Sequence, residues 1–146
     1  MLEANQELVD QFELDLRSHA TAISLDVLCR TDGTFELTRF IYKWSLSHGF
    51  HCEREVYLGS DRISRKTGRA YRGFLDFVIG HWLAVEIDSS NKRWSLAKLE
   101  DAAQRGYVPV WIRWSTPQKL HVPSYIHLIL LPSRTRLKTK TREQIE

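Results

Sequence analysis

The stretch FLDFVIGHWLAVEIDSS, residues 74–90, sets three carboxylates, Asp76, Glu86 and Asp88, inside two otherwise apolar runs. Both runs are rich in β-formers and meet at Gly80 and His81, so they predict an antiparallel hairpin. Side chains at i and i+2 of a strand share a face. Glu86 and Asp88 therefore project together, with Val85 and Ile87 opposite, and Asp76 on the partner strand comes within cross-strand reach. Buried charge is expensive unless it is paired or holds a metal. Three acids at one end of a sheet repel unless a cation lies between them, and hard oxygen donors select Mg2+ or Mn2+. The rival reading of the same acids is structural, as ion pairs with Arg72, Arg113 or Lys92.

The flanks of the hairpin extend the pattern. Before it, FHCEREVYL (residues 50–58) alternates like a strand with one wetter face, and RISRKTGRAYR (62–72) reads as a basic loop. After it, Ser89, Ser90 or Asn91 can cap a helix over about 92–105, with Leu96, Leu99, Ala102 and Ala103 inward and Gly106 ending it. YVPVWIRW and YIHLILL then predict two more strands. Upstream, residues 3–17 space Leu8, Phe12 and Leu16 as an amphipathic helix, and residues 20–30 lean to helix. TDG at 31–33 reads as a break. Thr34 would cap a helix to about Ser47, with Phe35, Leu37, Phe40, Ile41, Trp44 and Leu46 mostly inward. The order predicts an α/β sandwich around a mixed sheet, in one domain over residues 1–146. Residues 1–30 would form an N-terminal helical extension, and 133–146 a mobile basic tail.

Composition excludes several classes. Hydrophobic content of 42% and charged content of 27% are ordinary for a globular domain. No apolar run reaches bilayer length, and the acidic N-terminus lacks a signal-peptide core, so the expected location is the cytoplasm. Two cysteines, Cys29 and Cys52, without a CxxC spacing fit a reducing compartment. Together with His48 and His51 they show no zinc-ligand spacing. His81 falls in the hairpin turn. Net charge is only +3, but Arg62, Arg65, Lys66, Arg69 and Arg72 carry no acid among them. A basic segment beside an acidic cluster suits a chain that grips a polyanion and holds a cation. The five tryptophans read mainly as core, Trp94 included; Trp94, beside Lys92 and Arg93, is the one with base stacking as its alternative reading.

Asp76, then Glu86-Ile87-Asp88 after a nine-residue gap, inside an α-β-β-β-α-β order, resembles the PD-(D/E)xK (restriction-endonuclease-like) nuclease superfamily. It is similar in particular to the very-short-patch-repair-like branch of small endonucleases. There, DF(V/L) is followed by (I/V)E(I/V)D, a short polar segment, a helix with a basic residue and G(Y/F)xVxxxxW. Here residues 75–114 read LDFVIGHWLAVEIDSSNKRWSLAKLEDAAQRGYVPVWIRW, and the likeness runs from about Glu36 to Trp114. It implies a DNA endonuclease using Mg2+ (or Mn2+), with Asp76 and Glu86 as metal ligands and Glu36 as an acid from the first helix. Two positions depart from the pattern. Asp76 follows leucine where the family has proline, and Asp88 stands where the family has its water-orienting lysine. Lys98 or Lys92 from the next helix would substitute, Lys98 better, because it can reach back over the sheet edge. Otherwise Asp88 is a third ligand or the base itself. The remaining alternative is a catalytically degenerate DNA-binding or complex-assembly subunit. Cutting both strands takes two sites, so the N-terminal helix is expected to support a homodimer.

Overall fold

In the computed structural model, residues 2–133 are described. Helix α1 (Leu2–Ala22), a single 3-10 turn (Leu25–Val27) and helix α2 (Arg30–Ser47) precede strands β1 (Cys52–Ile63), β2 (Ala70–Ile79) and β3 (Leu83–Asp88). Helix α3 (Arg93–Gln104) and strands β4 (Val108–Ser115) and β5 (His127–Ser133) follow. The strands form one five-stranded sheet in the order β1-β2-β3-β4-β5. The pairs β1–β2 and β2–β3 are antiparallel, β3–β4 and β4–β5 parallel. The fold is therefore mixed α/β around a mixed sheet. The basic tail from Arg134 onward lies outside the described residues.

Alternation of side chains along the strands divides the core in two. On one face Phe77, Ile79, Leu83, Val85, Val110, Ile112 and Trp114 pack against Val9, Phe12, Leu16 and Ala20 of α1 and Leu37, Ile41 and Trp44 of α2. On the other, Val78, Ala84 and Trp111 meet Leu96, Leu99 and Ala102 of α3 and Ile126 of the β4–β5 connection. Each fully buried large side chain of this kind contributes about 1.5–3 kcal/mol. The α1 stripe is thus committed to the core, so the expectation that it dimerises the chain is not met by that surface.

Three local expectations are corrected. The break at residues 31–33 and the Thr34 cap give way to a helix that starts at Arg30 with Cys29 as N-cap. Gly33 lies inside its first turn because a Cβ there would come within 2.0–2.9 Å of the Trp114 ring. Glycine here permits close packing of helix on sheet, not a turn. Phe35 and Leu46, expected inward, are 63% and 80% exposed, since the sheet covers only the Leu37–Ile41–Trp44 stripe of α2. The basic segment 62–72 is only partly a loop. Arg62 pairs with Tyr71 and Asp61 with Arg72, so β1 and β2 run on as a two-stranded ribbon, leaving 64–69 as its tip.

A candidate metal and nucleic-acid site

The β2–β3 ladder pairs Ile79 with Leu83, Val78 with Ala84 and Phe77 with Val85, and stops there. Beyond it the carboxylates replace the backbone bonds. The main-chain N–H of Asp76 donates to Glu86 Oε2 at 3.2 Å, and that of Ile87 donates to Asp76 Oδ2 at 2.8 Å. Opposite Asp76 on β1, Glu55 takes a left-handed φ of 53° and drops out of the β1–β2 register, a conformation that strains a non-glycine residue. The strands part at the place where the two acids meet.

Lys98 completes the group. It lies in the middle of α3, its ammonium forms an ion pair with Glu86 Oε1, and it donates to the Phe74 carbonyl at 2.8 Å. The Glu86 side chain is 1% exposed and that of Lys98 11%. Burial, with the hydrogen bond to Asp76 and the charge of Asp76 adding to it, pushes the Glu86 carboxyl up to about 9, against the pull of Lys98. A nearby positive charge favours its carboxylate form, so this buried pair of carboxyls is chemically suited to a hard cation.

Among the described residues no three His, Cys, Asp or Glu side chains form a metal-binding cluster. The possible ligands are two carboxylates, with the Lys98 ammonium beside them. That set fits Mg2+, which keeps several waters and takes one or two carboxylates together with substrate phosphate.

The remaining candidates fall elsewhere. Asp88 shares a strand face with Glu86 but turns to its own partners. The Trp111 indole N–H donates to Asp88 Oδ2 at 2.8 Å, and Lys92 Nζ lies 3.6 Å from Oδ1. Burial raises the Asp88 carboxyl, partly offset by hydrogen bonds from Ser95 and Trp111. Its main-chain carbonyl accepts from buried Arg113 at 2.7 Å. Arg113 also donates to Gln118 and Thr116, tying the end of β3 to the β4–β5 connection. Asp88, expected as a third ligand or base, is engaged by these partners in this structure, while the charge of Asp76 also raises its carboxyl. Lys92 is the N-cap of α3, displacing the expected serine or asparagine cap, with its side chain 61% exposed. Asn91 instead donates to the Pro117 carbonyl and accepts from the Lys119 N–H.

Glu36 stands on α2, across the sheet from α3, and its contact is His19 at 4.0 Å. The acid expected from the first helix is thus not brought to Asp76 and Glu86. His81 sits in the turn at the far end of the hairpin, 3.4 Å from Glu53. Sequence reasoning missed the Phe74 carbonyl that steadies Lys98, since no side chain signals it.

Arg62, Arg65, Lys66, Arg69 and Arg72 are exposed along the ribbon and its tip. Arg62 lies over the Trp94 ring at 5.6 Å and Arg72 over that of Tyr57 at 5.2 Å. The ribbon thus leans toward the start of α3, the helix that carries Lys98.

No family model matches the sequence, and neither a curated protein nor a solved structure matches the chain. No helix among the described residues is long and apolar enough to cross a membrane.

Proposed function

We propose that the chain is a metal-dependent DNA endonuclease of restriction-endonuclease-like architecture that hydrolyses phosphodiester bonds. One observation carries the reading: Asp76, Glu86 and Lys98, from two strands and the following helix, converge where the strands part. A bound Mg2+ or Mn2+ would polarise a phosphoryl oxygen and steady the leaving group. Asp76 and Glu86 would hold it. With a cation held there Glu86 would stand as a carboxylate, its proton passing to solvent. Lys98, held by the Phe74 carbonyl, would orient the attacking water and offset charge on the phosphoryl oxygens. The cations of the ribbon grip the phosphate backbone. One copy carries one such site and nicks one strand.

The position of Lys98 beside Glu86 favours catalysis over the degenerate binding subunit, because it would stand in for the lysine absent from position 88. Plasmid nicking and cleavage of branched or mismatched DNA with Mg2+ or Mn2+ test this. Wild type is expected to cut, and Glu86→Ala and Lys98→Met to fail. Manganese titrated calorimetrically is expected to bind wild type and not Glu86→Ala. Equal cutting by all three proteins sinks the assignment.

A further inference from the structure

Between the ribbon and the first turn of α3 runs a groove that a phosphate grip alone does not explain. One part, about 370 Å³, is lined by Arg62, Ser64, Tyr71, Arg72 and Trp94. Its continuation, about 660 Å³, adds Arg65, Lys66 and Arg93. Both volumes lie in the range of small-ligand sites. Among the described residues, none lining either part is acidic. Aromatic rings stand among these cations: Tyr71 is 44% exposed, and Trp94 is half-buried with the Arg62 guanidinium over its ring. Arg62 and Tyr71 are cross-strand partners, so both reach the groove from one face of the ribbon.

Phosphates need only the cations. Rings held among cations suit an unpaired base, whose π-face stacks on an aromatic or a guanidinium. A base in a relaxed duplex offers no free face. Trp94 and Lys98 are four residues apart on α3, hence neighbours on one face of the helix with Cβ atoms about 5–6 Å apart. A nucleotide seated on Trp94 would place an adjoining phosphate beside Lys98.

We infer that this groove is a subsite for an unpaired nucleotide of a DNA strand, so that the preferred substrate is single-stranded or locally unpaired DNA. The inference rests on the proposed function for its occupant, but binding without metal separates the two.

The test is fluorescence anisotropy in EDTA on the Glu86→Ala background, with a labelled single-stranded oligonucleotide, its full duplex and a duplex carrying a short unpaired bulge. The single strand and the bulged duplex are expected to bind about tenfold or more tighter than the full duplex, the scale of one stacked base. Trp94→Leu should remove that preference while changing duplex affinity less than about twofold. Trp94→Phe should keep most of it. Arg65→Ala with Lys66→Ala should weaken all three DNAs alike and flatten the salt dependence. Should Trp94→Leu not fold, Tyr71→Ala, at an exposed ribbon position, carries the same expectation. Equal affinity for single strand and duplex overturns the inference, as does an equal loss on both in Trp94→Leu or an absence of DNA binding at low salt. A retained preference, with wild type cutting nothing when metal is supplied, overturns the nuclease reading alone.

Discussion

Glu86 and Asp88 stand two residues apart on one strand, on one face, and both are buried, yet their surroundings differ in kind. Asp88 receives an indole N–H, sits near a lysine and belongs to a strand end braced by Arg113. Glu86 accepts a main-chain N–H, pairs with an ammonium and lies against the Asp76 carboxyl. Burial raises both carboxyls, and that of Glu86 further still, to about 9. What distinguishes the two acids is how far their neighbours offset burial.

The largest expected effect is catalytic. Lys98→Met should lower the rate of metal-dependent cleavage about 10²–10³-fold, while Lys92→Ala leaves it near wild type. A loss of that size in Lys92→Ala would move the water-orienting role to the helix cap. Next comes the brace: Arg113→Met should lower unfolding free energy by several kcal/mol in urea melts, because it takes the buried donor from the Asp88, Trp114 and Thr116 carbonyls and Gln118 Oε1, about 1–3 kcal/mol for each group left unsatisfied.

The third concerns pH. With its carboxyl at about 9 in the fold against an ordinary 4.5, the folded protein keeps a proton that the unfolded chain releases. Metal-free stability attributable to Glu86 should therefore fall as pH rises from about 4.5 toward 9, by at most about 1.4 kcal/mol per pH unit for one proton. Glu86→Gln should flatten that slope. If Asp88→Asn flattened it more, the contrast between the two acids would be reversed. The smallest effect is expected of Asp88→Ala, which leaves the Trp111 N–H unpaired and should cost about 1–3 kcal/mol of stability, with cleavage by the folded fraction within a few-fold of wild type.

Much of this was legible in the sequence because it depends on short-range periodicity. The hairpin, the shared face of positions 86 and 88 and the α3 stripe all follow from strand and helix repeats. The rest depends on partners distant in the chain. Asp88 is decided by Trp111 and Arg113 on the neighbouring parallel strand, a register that no local pattern encodes. Glu36 is decided by which side of the sheet α2 covers, and Gly33 by Trp114. The ribbon was hidden because exposed strands rich in arginine lack the apolar alternation that marks a half-buried one.

The Phe74 carbonyl that anchors Lys98 lies two residues from Arg72, at the root of the ribbon. In the proposed function, a strand bound along the ribbon would therefore lie two residues along the chain from the carbonyl that tethers the Lys98 ammonium, so polymer capture and placement of the reactive end would share one strand.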